Sequence, residues 1–293
     1  MPPTSSNRRV GLIAGWGRLP ITIADTLRAS GHEVQCLGIK WHCEEDIIPH
    51  VDHFQWLNAA HLGTAIRYFQ RRGVTRATMA GKFHKVDLYR PWVLLRYVPD
   101  LTCLRTFYPH FIGSGGDRKD DTLLGTLCEA FGRRGINFLP ATDFAPELLV
   151  NAGPVAGGAP SPAQSTDIQF GWEIAKQMGG LDIGQSICVK DRAVIAVEAI
   201  EGTDAAIRRA GELCRQGGFT VIKVAKPNQD MRFDVPTVGI QTLETMAAAG
   251  GRVLAIEAGR TILLDSEDFC RFAQSKGIKV VAIASSQAAA KAA

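Results

Sequence analysis

No apolar run in this chain approaches the ~18 residues that a membrane span requires, so no spanning helix is expected. Charge of one sign is not in excess either. The chain carries 33 Lys and Arg against 29 Asp and Glu, a formal net charge of +4. So mild a balance does not mark a nucleic-acid binder, and it leaves room for an anionic small molecule or a lipid headgroup. The seven cysteines are odd in number and include no C-x-x-C pair. That speaks against a disulfide framework or a zinc knuckle and favours a reducing compartment. The opening MPPTSSNRRV has no apolar stretch between its basic pair and a cleavage site, so a secretory signal is not expected. No G-x-S-x-G elbow, Walker A loop or H-E-x-x-H is present, which removes three common hydrolase and nucleotidase signatures. What remains is an ordinary globular composition, 46% hydrophobic and 21% charged over 293 residues. At roughly 150 residues per domain, two domains are expected, in a cytoplasmic protein.

The first half alternates strands and helices. Val10–Ala14 is a short apolar run, and Leu19–Ala29 places Leu19, Ile23 and Leu27 at helical spacing before Gly31. Val34–Ile39 reads as a strand, Leu57–Gln70 as an amphipathic helix closed by Gly73, and Arg76–Ala80 as a strand. Thr122–Phe131 is a further helix before the strand-like Ile136–Leu139. Such units favour a parallel sheet flanked by helices. The second half reads as α+β, with hairpins across Asp191-Arg192 and across Glu257–Arg260. Between the halves, Asn151–Ser165 (NAGPVAGGAPSPAQS) has neither charge nor apolar period and reads as a linker, with a long surface loop within one domain as the alternative. The expected division is 1–145, a linker over 146–165, and 166–293.

Five stretches carry chemistry-bearing residues. Gly15-Trp16-Gly17-Arg18-Leu19-Pro20 lies between a strand and a helix, where glycine backbone and a helix N-terminus can receive an anion; a plain tight turn is the alternative. Pro20 replaces the third glycine of the dinucleotide fingerprint, and Lys40 stands where an acidic ribose ligand belongs, which argues against NAD. GSGGDRKDDTLL sets Asp117, Asp120 and Asp121 before a helix. One of them is enough to cap it, and together they suit a hard cation or sugar hydroxyls. AVEAIEGTDAAIRR gathers Glu198, Glu201 and Asp204 at a strand end and helix start, with Thr203 or Asp204 as cap; an Asp204–Arg208 ion pair is the plainer reading. Lys226–Thr237 packs Lys226, Gln229, Asp230, Arg232 and Asp234 into one proline-bounded loop. Its carboxylates can activate water or bind metal, while Lys226 and Arg232 can hold phosphate. Lys82–His110 interleaves basic and aromatic residues, as a surface for single-stranded nucleic acid, an acylated headgroup or a membrane, or, more commonly, as a core helix with snorkelling cations.

Taken together, GLIAGWGRLP, DDTLL, AVEAIEGTDAAIRR and KPNQDMRFDVPTVGIQT resemble the UDP-2,3-diacylglucosamine pyrophosphatase family of lipid A biosynthesis, the LpxI type. The likeness runs from about Gly11 to Ile283. It implies a Rossmann-like N-terminal domain beside a C-terminal α+β catalytic domain, with the ligand between them. It also implies Mg²⁺-dependent hydrolysis of the substrate to UMP and 2,3-diacylglucosamine 1-phosphate (lipid X), with water attacking the phosphorus next to the sugar. The family's essential Asp maps to the QD-x-R-x-D loop, Asp230 first and Asp234 second. These two and Asp121 are the candidate metal ligands. Gly15, Gly17, Lys82, Asp121, Glu198 and Thr203 are candidate substrate contacts, as are Asp204, Lys226, Gln229 and Arg232. A homodimer in transient contact with the inner leaflet is expected. Two other classes compete: a nucleotide-sugar oxidoreductase, disfavoured by Pro20 and Lys40, and a non-catalytic nucleotide or lipid sensor, which has no need of carboxylates in three loops.

Overall fold

The computed structural model describes residues 8–82, 97–112, 120–227, 229–232 and 235–284. The chain divides into two compact units, Met1–Pro146 with Asp230–Phe233, and Glu147–Gln229 with Asp234–Ala293. The first unit holds a five-stranded sheet in the order β3-β2-β1-β4-β5, parallel throughout. Its strands are β1 (Arg9–Ala14), β2 (Glu33–Ile39), β3 (His53–Leu57), β4 (Arg76–Ala80) and β5 (Asn137–Phe138). Between them run α1 (Leu19–Ala29), α2 (Leu62–Arg71), α3 (Leu101–Ile112) and α4 (Asp120–Gly132), and α5 (Ala141–Phe144) follows β5. β1 is buried from Val10 onward, as a parallel strand covered on both faces must be. On one face Phe69 of α2, Phe131 of α4 and Phe138 of β5 stack, Phe69 and Phe131 tilted with centroids 6.0 Å apart, Phe131 and Phe138 edge to face at 4.9 Å. The order reverses between β1 and β4, the place where open α/β sheets receive ligands beyond their strand ends.

The second unit holds a six-stranded mixed sheet, β6-β13-β11-β9-β7-β8. Here β9 (Thr220–Lys223), β11 (Val253–Glu257) and β13 (Lys279–Ile283) run parallel. The hairpin of β7 (Ser186–Lys190) and β8 (Ala193–Val197) is antiparallel beside them. Its turn residues Asp191 and Arg192 both have positive φ, 51° and 59°, the twist a two-residue hairpin needs. α6 (Pro162–Gly180) covers one face through Ile168, Trp172 and Ala175. α7 (Thr203–Leu213), α8 (Ile240–Ala249) and α9 (Ser266–Ser275) cover the other. Among the described residues no helix is long and apolar enough to cross a membrane.

Three local expectations are corrected. The helix expected over Leu57–Gln70 begins only at Leu62; His53–Leu57 is an edge strand whose alternating exposure left no continuous apolar run. The 146–165 segment is no linker, because Gly153–Ala156 forms β6, antiparallel to β13. Its far end is a capping box, in which Gln164 N–H donates to Ser161 Oγ and Ser161 N–H to Gln164 Oε1. The second expected hairpin does not form: β12 (Ile262–Leu263) pairs in parallel with β10 (Thr237–Val238) and not with β11. Burial on both faces makes a parallel strand and a hairpin arm look alike in sequence.

α6 approaches its sheet closely at Gly171, where a Cβ would lie 2.6 Å from Ile222 Cδ1 and 2.9 Å from Val189 Cγ2. Gly171→Val should destabilise the protein by about 1–3 kcal/mol through overpacking, read as a fall in Tm. Gly125→Ala, with nothing within 4 Å of its Cβ, should leave Tm unchanged or raise it.

Candidate functional site

The chemistry-bearing residues of the second unit gather at one edge of its sheet. β9 and β11 end there in Lys223 and Glu257, β7 begins there at Ser186, and Glu198 follows β8. Ser186 lies opposite Lys223 in the β7–β9 register. Four of these side chains form one network. Thr203 Oγ1 donates to Glu198 Oε1 at 2.9 Å, Ser186 Oγ lies 3.3 Å from Thr203 Oγ1, and Lys223 Nζ donates to Thr203 Oγ1 at 3.3 Å and to the Thr237 carbonyl at 3.0 Å. Ser186, Glu198 and Lys223 are all buried. A buried cation and a buried carboxylate thus share one hydroxyl, which keeps both partnered. Thr203 is therefore not a helix cap; Gly202 holds that position, and the Thr203 hydroxyl is committed to Glu198. Asp204 lies in the first turn of α7, and the ion pair that forms is Glu201–Arg209 at 3.0 Å, not Asp204–Arg208.

Beside this network, Glu257 is fully buried and accepts from Lys176 Nζ at 2.8 and 2.6 Å and from Ala225 N–H at 2.7 Å. Lys176 also donates to the Ala225 carbonyl at 2.9 Å. Both backbone groups of Ala225 are thereby fixed just before the candidate loop. Lys226 N–H then donates to Gln229 Oε1 at 2.8 Å, and Lys226 Nζ reaches Asp182 Oδ1 at 2.5 Å. Gln229 is buried, and among the described residues its Nε2 has no hydrogen-bond partner. A buried amide donor left unmade costs about 1–3 kcal/mol, which a ligand oxygen would recover.

Asp230 and Arg232 are clasped together. Arg232 Nε lies 2.9 and 3.0 Å from the two Asp230 oxygens, Nη2 lies 2.5 Å from Oδ2, and Arg232 N–H donates to Oδ1 at 3.0 Å. These hydrogen bonds hold the Asp230 carboxyl below the usual carboxylate range and stabilise the Arg232 cation. Within the same unit, burial pushes the Cys128 thiol up to about 11, against the pull of the nearby Arg232. Asp234 lies outside the described residues, as do Asp117 and the side chains of Asp120 and Asp121, which open α4. Among the described residues no three carboxylate, imidazole or thiol groups come together to hold a metal, and both Asp230 oxygens are occupied by Arg232.

In the first unit the Gly15 turn lies at the switch point. Gly15 N–H donates to the Ala80 carbonyl at 2.8 Å, and Trp16 exchanges backbone hydrogen bonds with Lys82 at 2.9 and 2.8 Å. A Cβ on Gly15 would lie 2.8 Å from the Lys82 carbonyl oxygen. The first glycine thus serves close strand packing, and its N–H is spent. Gly17, with φ 101°, leads into α1, where Pro20 occupies the first turn. Lys82 Nζ sits 5.8 Å above the Trp16 ring. Of the 83–112 stretch only 97–112 is described. Four residues of the second unit were missed in the sequence: Ser186, Lys223, Lys176 and Glu257. The available signal was a charge closing each apolar strand, as in TVIK and VLAIE.

An α/β protein with a Rossmann-like first unit, a mixed-sheet second unit and a loop of paired charges is what the fold and site define. Residues 9–148 match the LpxI N-terminal domain and residues 151–281 the LpxI C-terminal domain. The chain belongs to the LpxI family. It is 29% identical over 285 residues to the UDP-2,3-diacylglucosamine pyrophosphatase LpxI of Caulobacter vibrioides, an alignment covering 94% of this chain and 98% of that protein.

Lys176→Met leaves the fully buried Glu257 without its cation, and breaking such a pair should cost about 3–5 kcal/mol. Adding Glu257→Gln should recover much of that loss, because the uncompensated charge is then gone. Denaturant unfolding of the two single variants and the double measures the coupling.

Proposed function

We propose that this protein hydrolyses the pyrophosphate bond of UDP-2,3-diacylglucosamine to UMP and 2,3-diacylglucosamine 1-phosphate. The observation that carries this reading is the clasped pair of Asp230 and Arg232, which holds a carboxylate and a guanidinium side by side. Phosphoryl transfer needs positioning and charge neutralisation more than covalent chemistry. In the proposed step a water oxygen bonds to the phosphorus next to the sugar. The bond from that phosphorus to the bridging oxygen breaks, and UMP leaves with the bridging oxygen. Lys226 and Arg232 bind the diphosphate, and Gln229 Nε2 donates to one of its oxygens. Asp230 orients the water and takes its proton, with Asp234 as the second candidate for that role. The Mg²⁺ expected of this chemistry is one that arrives with the substrate, since Mg²⁺ is commonly bound by phosphates plus only one or two carboxylates. Substrate with two acyl chains is met at a membrane surface, so inner-leaflet contact belongs to the proposal, as does the homodimer.

The purified protein with Mg²⁺ should release UMP from UDP-2,3-diacylglucosamine, and excess chelator should suppress release. No UMP under the first condition rejects the activity; full turnover in chelator rejects only the metal. Asp230→Ala should keep its Tm and bind substrate yet lose about 10²-fold or more in turnover, as removal of a general base does. A structural ion pair predicts the reverse, normal turnover with at most ~1 kcal/mol lost. Activity retained in Asp230→Ala and lost in Asp234→Ala reverses their order.

A clasped Asp230 is a weak base, so Arg232 must exchange its carboxylate for the diphosphate before the proton moves. That gives a signed pH dependence. In the free enzyme Asp230 is held ionised to lower pH, so the acid limb of kcat/KM should lie below the ordinary carboxylate value of about 3.9. In the substrate complex the clasp is released, so the acid limb of kcat should lie higher. Coincident limbs would show that Arg232 stays on Asp230.

A further inference from the structure

One cavity lies apart from every residue discussed above. It is an open hollow of about 530 Å³ in the first unit, lined by Gln55 of β3 and by Thr64, Arg67, Tyr68, Arg71 and Arg72 at α2. Three guanidinium groups converge there and no carboxylate joins the lining. Elsewhere arginines find acids: Arg9 with Glu33, Arg28 with Asp52, Arg209 with Glu201, Arg271 with Asp268. Among the described residues Arg67, Arg71 and Arg72 form no ion pair. Arg67 donates only to Thr64 Oγ1, at 3.2 Å. Arg72 is fixed in place, its Nη1 on the Oε1 of the buried Gln35 at 3.2 Å and its guanidinium 4.6 Å above the Tyr68 ring. Basic residues in the last turn of α2 suit the helix dipole, but that explains neither Arg67, a turn earlier, nor the convergence on one hollow.

The neighbouring helix adds a second observation. α3 packs on α2, with Thr64 N–H donating to Asp100 Oδ2 at 3.1 Å just before α3 begins. Outward from α3 stand Leu101, Leu104 and Tyr108, 61%, 51% and 53% exposed, with Val98 at 57% just ahead of it. Spacings of three and four residues put them along one side of the helix. An apolar stripe beside unpaired guanidinium groups is the composition of a surface that lies on an anionic bilayer, apolar side chains entering the headgroup layer and cations meeting phosphates.

We infer that this face of the N-terminal unit docks on an anionic bilayer, with one phospholipid phosphate seated among Arg67, Arg71 and Arg72. Guanidinium forks match a phosphate bidentately, and the hollow has the volume of a headgroup, not of a chain pair. The choice of a lipid over a free phosphate ester rests on the proposed function, in which the substrate is bilayer-borne; the docking itself is read without turnover.

Flotation with vesicles of phosphatidylcholine, with and without about a quarter phosphatidylglycerol, tests it. Wild-type protein should float with the anionic vesicles only, and less so at high salt. Arg67→Gln/Arg71→Gln should lower the bound fraction about tenfold or more, since each cation near such a surface adds about 1 kcal/mol. Leu101→Ser/Leu104→Ser should weaken binding without abolishing its salt dependence. Arg208→Gln/Arg215→Gln, which removes two exposed charges from the other unit, should change nothing. Equal loss in that control reduces the effect to net charge and overturns the site, as does wild-type flotation unaltered by the α2 changes. Calorimetric titration with inorganic phosphate is the second arm. Heat that the α2 double variant abolishes, with no flotation of wild type, assigns the hollow to a soluble phosphate and overturns the membrane. Each variant's circular dichroism and Tm establish that it is folded. UMP release failing while flotation succeeds rejects the enzymatic reading alone.

Discussion

A carboxylate with no access to water decides where the chain goes after β9. Glu257 closes β11 and holds Lys176 of α6 and the N–H of Ala225, while Lys176 takes the Ala225 carbonyl. Desolvating a carboxylate costs several kcal/mol, and only an attractive partner with further hydrogen bonds repays it. Here three elements supply those bonds, so none can shift alone. Lys226 therefore leaves from a fixed point, and its own ammonium is tied to Asp182 just past the end of α6. Gly179 permits the approach, its Cβ position lying 3.3 Å from Lys226 Cα. Lys226 thus stands on a rigid root, the arrangement by which scaffolds position reactive side chains.

The neighbouring network follows the same rule with different partners. Lys223 ends β9 one strand away, and its charge is balanced by Glu198 through the Thr203 hydroxyl. A strand buried on both faces tolerates a charge only where a partner reaches it, and at the carboxyl edge of a parallel sheet partners come from the loops that follow. This is also why these residues escaped a reading of the sequence. A charge closing an apolar run looks like the end of the strand, which it is, and nothing local reveals that its partner is Lys176, 81 residues before Glu257. The loop beginning at Lys226 was legible because its charges are dense within a few residues. The first unit's strand–helix alternation was legible because period and punctuation agree, with Gly31 and Gly73 closing helices. His53–Leu57 was not, since an edge strand with polar and aromatic alternation resembles the approach to the helix after it. Residues 146–165 misled through composition: glycine and proline suggested a linker, while the Ser161–Gln164 box stated that a helix was starting.

The unequal burial of the ion pairs separates cations held by buried carboxylates from cations held by partly exposed ones. A diphosphate brings negative charge to a loop whose cations already have carboxylates, so binding is an exchange of partners. Lys176 cannot exchange at modest cost, because the wholly buried Glu257 would lose that cation. Lys223 is constrained in the same way by the buried Glu198. Lys226 and Arg232 differ: their partners Asp182 and Asp230 are 40% and 30% exposed and can be rehydrated when released. Exposed pairs are worth at most about 1 kcal/mol, less than a charge-assisted hydrogen bond to phosphate returns. The exchange is favourable for those two cations alone, and for Arg232 it has a chemical consequence. In the proposed mechanism, releasing Asp230 frees both its oxygens and restores its basicity when a phosphorus atom is present to be attacked. Under that proposal, a carboxylate clasped in the resting enzyme and released by its substrate is protected from idle protonation, and its availability is coupled to occupancy of the site.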